Sequence, residues 1–577
     1  MPGFFGFIGE DNLFDLNNLN LPSETYTPVV CDEKKGPNYY FKRYVIPKFL
    51  DDKVFGENIT AIIGTDGILL NSQQLKKKYG LNTNFDLIEK IYSDHGVKGI
   101  YEIKGNYSGF IHHKKSQILH IFTDHIGSKP IFYYYDETRK FLIFGSELKN
   151  VVTIMRKLGC RPTLSETGAY CLLTFGFMIG DNSLVNEVKK LPPGTSLTYS
   201  DGQIEIVQHY KFSCLPEISD SEENIIKKLN SLFLEAIKLE YDKDLEYNYS
   251  HIATLSGGLD SRMNVMNAKK SGYIDILCLC FSQSNYFDEV IAKKIASNQE
   301  FDFIFHALDN GNYLKNIDEA VLVNDGLTLY AGSAHMLSSL KLLDWTECGL
   351  LHTGILSFSY YLSLNNHNSV NNYDIEHIAY STKLMDQNRN NNLIIPKNYE
   401  NAELFALYER VFNGIFNGYR IIEQFTEFSS PFQDKDFLEY AVRLPPKGRP
   451  NHKLYIKWIL SEIPEAAKYP WEKTGVNVDA GTLRKFVRRN FQFLKAKYLG
   501  KNNINSMNPF EYWYYTNPGL KEFIETYYAK YIALLDNHTT LKDDAQRLFT
   551  EGTFLEKTQV LTLLAAIKLH SLEKQNP

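Results

Sequence analysis

The feature that most constrains the fold of this chain is the six-residue segment 256–261, which reads SGGLDS. It follows the buried apolar run 252–255 and precedes a stretch in which apolar residues have helical spacing. Two glycines let a backbone approach an anion closely, and a helix N-terminus offers free N–H groups and a positive dipole. The segment therefore predicts a strand, a phosphate-binding turn and a helix, which together form a unit of a parallel sheet.

The side chains of this turn suit a nucleotide that releases pyrophosphate. The carboxylate of Asp260 would repel phosphates unless it held a divalent cation such as Mg²⁺, so we predict Asp260 as a metal ligand. The alternative interpretation is a plain strand–turn–helix with an N-capping serine, but the complete pattern after a strand favours a phosphate loop. The residues that we expect to contact ATP are Leu255, Ser256, Gly257, Gly258, Asp260 and Ser261.

The chain has two parts with different patterns. Residues 1–205 contain short apolar runs between turn signals, which predicts an antiparallel, mostly β layer interrupted by one helix at 85–96. The predicted strands of this layer include 59–71, 107–113, 118–124, 130–136 and 141–147.

After about residue 220 the pattern predicts alternating helices and strands, and therefore a parallel sheet. The predicted elements are a helix at 223–241, strands at 252–255, 274–282 and 350–355, and a helix at 286–297. The remainder, from about 400, is predicted to be helical. We place the boundary in the loop near 205–220, which gives predicted domains 1–210 and 211–577.

Composition excludes several classes of function. The net charge is −6 and the pI about 6.2, so no strong basic field exists to bind nucleic acid. No window of 18 apolar residues predicts a membrane span, and the first residues lack the pattern of a signal peptide. The seven cysteines are scattered and odd in number, which indicates a reducing compartment. We expect a cytoplasmic protein.

The phosphate loop and its surroundings resemble the asparagine synthetase group of N-type ATP pyrophosphatases. Four further segments are similar to family motifs and occur in the right order. They are Tyr286-Phe287-Asp288-Glu289, Glu427-x-x-x-Pro431-Phe432-Gln433-Asp434 with Leu444-Pro445-Pro446, Ile463-Pro464, and Lys473-Thr474-Gly475. The resemblance implies an α/β parallel-sheet PP-loop domain (adenine nucleotide α-hydrolase-like) with a helical C-terminal part.

The resemblance implies that ATP activates a carboxylate as an acyl-adenylate with release of pyrophosphate, and that an amine then displaces AMP. Lys473 matches the family lysine that lies against the reacting acyl-phosphate, where an ammonium can stabilise developing charge. Gly354 would let the ATP or acyl group pass close to the third strand. Glu427 and Asp434 are expected to be structural rather than catalytic. The alternative for Lys473 is a solvated surface lysine.

One departure from the family concerns the metal. The family normally has a carboxylate after the third strand that binds the second face of the Mg²⁺–pyrophosphate, and Phe358 stands in its place. If the chain is an enzyme, another group or water must complete the metal shell, since Mg²⁺ tolerates several waters.

The first part resembles a class II glutamine amidotransferase domain, which implies an α+β Ntn-hydrolase-like sandwich. Segments 105–108, 123–133 and 144–149 are similar to its motifs. The family's nucleophilic cysteine is replaced by Pro2, which has no thiol. Ile68 replaces a glutamine-holding carboxylate and Asn84 replaces a glutamine-binding aspartate. We therefore expect no glutaminase activity.

Because no internal ammonia source is expected, the nitrogen must come from elsewhere. Relatives without the cysteine include β-lactam synthetases and lasso-peptide macrolactam cyclases, which close an amide within one substrate. Ile355 occupies the place of the β-lactam group's tyrosine and argues against that reaction. The leading interpretation is an amide ligase acting on a small-molecule or peptide substrate, such as a lasso-type cyclase whose partners would be a leader-peptide protease and a recognition protein. The alternatives are amidation of a glycan or small-molecule acid with free ammonia, and a non-catalytic scaffold.

Overall fold

The structure is a computed structural model. It describes residues 2–9, 26–356, 375–390, 399–446, 449–481 and 503–572, with the single positions 488, 490, 494, 498 and 500.

The strands in this part of the chain form two antiparallel sheets, one parallel sheet and one short hairpin. They are β1 Gly3–Gly9, β2 Val30–Gly36, β3 Tyr39–Val45, β4 Phe55–Glu57, β5 Ala61–Leu69, β6 Gly105–His113, β7 Leu119–Thr123, β8 Phe132–Asp136, β9 Phe141–Gly145, β10 Lys189–Lys190, β11 Thr195–Ser200, β12 Gln203–Gln208, β13 Ser250–Thr254, β14 Leu277–Ser282, β15 Asp302–Ala307, β16 Cys348–His352, β17 Phe428–Ser429, β18 Pro470–Trp471 and β19 Val476–Asn477.

The α-helices concentrate in the second half of the chain. They are Ser72–Tyr79, Asn84–His95, Leu148–Lys157, Glu166–Phe175, Glu222–Glu246, Leu259–Lys270, Phe287–Gln299, Ile317–Asn324, Ala334–Leu340, Met385–Asn390, Ala402–Ala406, Phe416–Tyr419, Lys435–Ala441, Lys453–Glu462, Pro464–Ala467, Phe510–Thr516, Pro518–Tyr531, Thr539–Glu551 and Phe554–His570.

The first part of the chain is a sandwich of four layers. Its two sheets each have six strands, in the orders β10-β8-β9-β1-β3-β2 and β12-β11-β7-β6-β5-β4, and pack face to face around an apolar cluster that includes Phe4, Phe41 and Phe110. Helices Ser72–Tyr79 and Asn84–His95 cover the outer face of the second sheet. Helices Leu148–Lys157 and Glu166–Phe175 cover the outer face of the first. This helix–sheet–sheet–helix arrangement is the predicted Ntn-hydrolase-like sandwich.

The expectation of one helix in this part was wrong, because three further helices lie within residues 72–175. Helix Leu148–Lys157 packs its apolar stripe, which includes Val151 and Met155, against β9. Its pattern is interrupted by polar residues, so a search for strands and long apolar runs overlooks it.

The second part contains the predicted parallel sheet, in the order β15-β14-β13-β16-β17. β13 pairs with β14 on one side and β16 on the other, so the phosphate-loop strand is central and buried. Ser221 caps the N-terminus of helix Glu222–Glu246, because its side chain accepts a hydrogen bond from the Asn224 N–H. The helix packs against β13 and β16. The C-terminal part is helical, as predicted.

The two parts share one continuous apolar core. It joins Phe5 and Phe141 of the first sheet to Leu561 of the C-terminal helix Phe554–His570. β12 ends at Gln208 and the next helix begins at Glu222, so the segment between them spans the predicted boundary. The division into 1–210 and 211–577 stays a prediction. None of the helices in the described part of the chain combines the length and apolar character needed to cross a bilayer.

Candidate active site

The predicted phosphate loop lies at the carboxyl end of the central strand of the parallel sheet. β13 ends at Thr254, and helix Leu259–Lys270 begins directly after Gly258. Leu255 is buried, and its N–H donates to the carbonyl of Leu279 in β14 (2.9 Å). The loop therefore starts from a strand that is fixed on both sides, in the position where open α/β sheets bind ligands.

The two serine hydroxyl groups meet inside the loop. Ser256 Oγ and Ser261 Oγ are 3.1 Å apart, and Ser261 Oγ also accepts the Ser256 N–H (3.1 Å). Ser256 Oγ accepts the Gly258 N–H (3.1 Å). The hydroxyls are thus gathered at the N-terminus of a twelve-residue helix, where they can turn toward phosphate oxygens.

At Gly257 the loop packs closely against the segments that contain Glu472 and Phe287. A Cβ at this position would lie 2.8 Å from the Cβ of Glu472 and 3.0 Å from the carbonyl oxygen of Phe287, so a larger residue would displace one of them. The Gly257 N–H donates to Asp288 Oδ1 (2.8 Å). Burial raises the pKa of Asp288 to about 6, opposed by the Gly257 N–H and reinforced by the charge of Glu472.

Asp260 lies in the first turn of the helix and is half-buried. Its Oδ1 accepts a hydrogen bond from the hydroxyl of Tyr455 (2.9 Å), a buried side chain in helix Lys453–Glu462. This contact orients the carboxylate at the loop. An oriented and partly accessible carboxylate beside a phosphate site matches the way proteins hold Mg²⁺, which takes one or two carboxylates, substrate phosphates and water.

Gly354 packs directly on the phosphate loop. A Cβ at Gly354 would lie 2.6 Å from the backbone nitrogen of Ser261 and 3.0 Å from Asp260 Cβ. The glycine therefore permits contact between the loop after β16 and the phosphate-loop helix. The expectation that ATP or an acyl group passes close to Gly354 stays a prediction, but the residue is brought into the same site.

Lys473 lies in the turn of the β18–β19 hairpin, and the hairpin docks on the phosphate loop. The Glu472 N–H donates to the carbonyl of Gly257 (3.2 Å). The Lys473 ammonium donates to His452 Nε2 (3.3 Å) and lies 5.5 Å from the centre of the Trp471 ring. Burial and the charge of Lys473 lower the pKa of His452 to about 4, so His452 is a neutral acceptor at physiological pH.

Lys473 and Asp260 are linked through one helix. His452, which contacts Lys473, is three residues from Tyr455, which contacts Asp260. Helix Lys453–Glu462 begins immediately after His452, whose backbone has a positive φ of 60°. The predicted catalytic lysine and the predicted metal ligand are therefore positioned by adjacent turns of the same segment.

Arg262 connects the hairpin to the loop, and sequence reasoning gave it no role. Its side chain is fully buried, and burial lowers its pKa to about 10. The guanidinium donates to the carbonyl oxygens of Gly257 (3.1 Å), Ala466 (2.9 Å), Tyr469 (3.1 Å) and Pro470 (2.7 Å). Its position directly after SGGLDS is the one local sign of a role at the loop. Apart from Gly257, its partners lie more than 200 residues away in the chain.

Glu427 and Asp434 have buried structural partners. Glu427 forms ion pairs with Lys53 (2.9 Å) and Lys129 (2.7 Å) of the first part of the chain. Burial acts to raise the pKa of Glu427, but Lys129 and Lys53 hold it at about 2. Asp434 caps helix Lys435–Ala441 and pairs with Lys104 (3.1 Å). Both arrangements agree with the structural roles expected for these residues.

Phe358, the residue that stands in place of the family's second metal carboxylate, lies outside the described residues. The preceding Ile355 is buried, and its carbonyl accepts a hydrogen bond from the Ser430 hydroxyl (2.7 Å). The prediction about a missing second carboxylate therefore stays a prediction.

Pro2, which is predicted to stand in place of the family's nucleophilic cysteine, lies near a buried group of charged side chains. Pro2 is buried, and an atom added at the Cβ position of the adjacent Gly3 would lie 3.8 Å from Asp66 Oδ2. Asp66 Oδ2 is 4.0 Å from the ammonium of Lys129. Both side chains are buried, so the site holds an ion pair that extends to Glu423 and Glu427.

Ile68 and Asn84, the two other altered positions, pack around the turn 49–53. Ile68 forms an apolar cluster with Phe49 and Leu350. Asn84 Nδ2 donates to the carbonyl of Asp51 (2.8 Å) and to Asp52 Oδ1 (3.0 Å). Ile68 is therefore engaged in apolar packing and Asn84 in hydrogen bonds.

Comparisons with known proteins show what this chain is similar to. Residues 55–211 match a family model described as a glutamine amidotransferase domain. The chain is 26% identical over 219 residues to the putative asparagine synthetase [glutamine-hydrolyzing] 2 of Methanocaldococcus jannaschii, covering 37% of this chain and 41% of that protein. It is 22% identical over 258 residues to asparagine synthetase [glutamine-hydrolyzing] 1 of Bacillus subtilis, covering 44% of this chain and 39% of that protein.

The chain is similar to asparagine synthetases over part of its length. The chain spans less than half the length of these relatives. Among solved structures, a protein titled "Structure of the allosteric regulatory enzyme of purine biosynthesis" matches with a TM-score of 0.25 and 9% identity over 52% of this chain and 80% of that chain.

Proposed function

We propose that this protein is an ATP-dependent amide ligase that forms an acyl-adenylate and does not hydrolyse glutamine. The observation that carries the proposal is the docking of the Lys473 hairpin on a complete phosphate loop through Arg262 and the Glu472 N–H. A loop kept only for packing would not need a lysine-bearing hairpin held over it by a buried guanidinium.

The reaction would proceed in two steps. An oxygen of the substrate carboxylate attacks the α-phosphorus of ATP, the bond to the bridging oxygen breaks, and pyrophosphate leaves. An amine nitrogen then attacks the acyl carbon, AMP leaves, and the amine loses a proton to solvent or to a basic group. The protein contributes orientation and charge stabilisation to both steps.

The loop would bind the leaving pyrophosphate. The hydroxyls of Ser256 and Ser261 and the amides at the start of helix Leu259–Lys270 supply donors, and the helix dipole favours the anion. The Gly257 N–H is already bonded to Asp288, so the remaining donors would contact the phosphates. Lys473 would stabilise the charge that develops on the acyl-phosphate oxygens.

Mg²⁺ would be held by Asp260, whose orientation by Tyr455 fits a metal ligand. When bound, the ion would neutralise phosphate charge. Phe358 supplies no carboxylate, so substrate oxygens and water would complete the shell, and the Mg²⁺ requirement would be higher than with two protein carboxylates.

The amine would come from the substrate rather than from glutamine. The Asp66–Lys129 ion pair beside Gly3 and the loss of the thiol at Pro2 support an inactive glutaminase. A peptide macrolactam cyclase of the lasso-peptide type is the specific form that we favour, with a precursor peptide as substrate and a leader-peptide protease and recognition protein as partners. Neighbouring genes for these three components would select it.

Two other functions remain as alternatives. Ammonia-dependent amidation of a glycan or small-molecule acid would use the same adenylation site with free ammonia. A non-catalytic scaffold is the alternative from a different class, and Phe358 is the residue that favours it.

The proposal is tested by pyrophosphate release. The full chain with ATP, Mg²⁺ and a panel of carboxylates and amines should release pyrophosphate and AMP in equal amounts with any accepted substrate. Glutamine should give no glutamate under the same conditions. Release of ADP and inorganic phosphate would contradict the adenylation chemistry, and glutamate formation would contradict the inactive glutaminase.

A further inference from the structure

A buried group of titratable side chains lies between the parallel sheet and helix Glu222–Glu246. Glu240 and Asp244 are four residues apart on this helix, His251 is in β13, and His352 ends β16. Their exposed fractions are 6% or less. We call these four residues the histidine–carboxylate cluster. Groups buried this deeply must be paired or neutral, because an isolated charge in the interior is very costly.

His352 lies between the two carboxylates. Its Nε2 is 2.8 Å from Asp244 Oδ2, and its Nδ1 is 3.5 Å from Glu240 Oε2. The ring also stacks on Tyr241 with the centroids 3.7 Å apart. The Nε2 contact is a hydrogen bond and the Nδ1 contact is a longer ion pair, so the two carboxylates favour a protonated imidazolium between them.

The carboxylates are themselves fixed by neighbouring groups. Asp244 accepts the Leu350 N–H (2.7 Å) and is 2.8 Å from His251 Nδ1. Glu240 accepts a hydrogen bond from the Ser429 hydroxyl (2.8 Å). Residues of β13, β16, β17 and the helix are thus joined through one cluster.

A metal ion is the competing interpretation of the same geometry. The donor atoms of Asp244, His251 and His352 lie within 4.8 Å of one another. A tetrahedral zinc ion with bonds of about 2.0–2.1 Å would separate its ligands by about 3.3 Å. The two 2.8 Å separations are those of hydrogen bonds, so we interpret the cluster as one that holds protons.

The cluster is connected directly to the candidate active site. His352 is followed by Thr353, whose carbonyl accepts a hydrogen bond from Asn264 of the phosphate-loop helix (2.9 Å). Gly354 comes next and packs against the backbone of Ser261. A change in the position of His352 would therefore move the segment that closes on the phosphate loop.

We propose that His352 is a positioning residue for the nucleotide site, which holds Gly354 against the phosphate loop through its two carboxylate partners. This inference rests on the proposed function, because it assumes that the loop binds ATP. His352 does not touch the reacting atoms. It acts through the end of β16.

The charge of His352 makes this role dependent on pH. Burial would lower the pKa of His352, but Asp244 and Glu240 raise it to about 9. A folded-state pKa above the unfolded value of about 6.5 means that the stabilisation is complete below pH 6.5 and is lost as the pH rises through 9. The other titratable groups that face His352 are His251 and Tyr241. The charge of Lys48 acts on Asp244, and the charge of Asp434 acts on Glu240.

The test measures Mg²⁺–ATP binding by calorimetry from pH 7 to pH 10. His352→Gln should weaken binding at pH 7 by about 5- to 100-fold, the usual size of coupling between sites, and should abolish the alkaline loss of affinity. Glu240→Gln should weaken binding at pH 7 less than His352→Gln does, and it should move the alkaline loss to lower pH, because one carboxylate no longer holds the proton. His306→Gln is the matched control, since His306 lies on the edge strand β15 and contacts Ser339.

Each outcome decides the proposal. An affinity and pH profile of His352→Gln equal to those of the wild type would overturn it. If His352→Gln does not fold, an unchanged alkaline midpoint in Glu240→Gln would overturn it instead. Zinc retained at one equivalent per chain after dialysis against a chelator would show that the cluster binds a metal ion, and would overturn the proposal. Absence of ATP binding in the wild type would reject both this inference and the proposed function, whereas altered variants alone test only His352.

Discussion

Replacing Arg262 by methionine should detach the Lys473 hairpin from the phosphate loop. The guanidinium is fully buried and donates four hydrogen bonds to backbone carbonyls, one in the loop, two just before the hairpin and one in its first strand. Methionine retains the apolar stem and similar bulk but has no donor. The perturbation therefore removes the hydrogen bonds while leaving the packing largely intact.

The expected cost follows from the groups left behind. Each buried carbonyl without a donor costs about 1–3 kcal/mol, and removing one partner of a buried charged network costs about 3–5 kcal/mol. Relief from burying the guanidinium, which lowers the pKa of Arg262 to about 10, offsets part of this cost. We expect a net local destabilisation of about 3–5 kcal/mol, concentrated on residues 466–477.

Hydrogen exchange and turnover measure the effect together. Arg262→Met should increase amide exchange in 466–477 and remove pyrophosphate release, and Arg262→Lys should restore little, because one ammonium cannot replace a planar fork with several donors. Arg443→Met is the control, since Arg443 is more exposed and donates to the carbonyl of Pro216 (2.8 Å). Exchange and turnover of Arg262→Met equal to those of the control would refute the reasoning.

Three further predictions concern the chemistry. Lys473→Ala should lower turnover by about 10²-fold or more with little change in ATP affinity, and Lys473→Arg should not restore it. Nearly wild-type turnover of Lys473→Ala in a steady-state assay would show that Lys473 is a surface lysine without a catalytic role. Asp260→Ala should abolish pyrophosphate release while circular dichroism stays unchanged, and wild-type ATP turnover would show that the metal is placed wrongly. With Pro2, Ile68 and Asn84 in the first part of the chain, glutamate formation from glutamine should not exceed a buffer blank, and turnover that copurifies with the chain would defeat this expectation.

The sequence predicted the elements whose signals are local. β13, the loop and the following helix could be placed because an apolar run, two glycines and helical spacing occur within twenty residues. The same applies to β14 and to helix Phe287–Gln299, each found within a few residues of its predicted bounds. Local patterns fix where such elements lie, although their ends depend on packing.

The missed features depend on residues distant in the sequence. β17 contains only Phe428 and Ser429 and is a strand because it pairs with β16. The role of Arg262 depends on carbonyls in and just before a hairpin more than 200 residues away, and Tyr455 orients Asp260 across a similar separation. Periodicity does not reveal such contacts. The sequence therefore predicted residues that the structure brings together at the candidate site, but not the residues that position them.

The most direct test of the central claim is calorimetry of ATP binding with a titration of Mg²⁺, because it needs no knowledge of the acid or the amine. We expect the wild-type chain to bind ATP with a high Mg²⁺ requirement, Asp260→Ala to lose the Mg²⁺-dependent part of this binding, and Phe358→Asp to bind more tightly. Absence of binding by the wild-type chain, even at high Mg²⁺, would contradict the account and leave a scaffold as the better description.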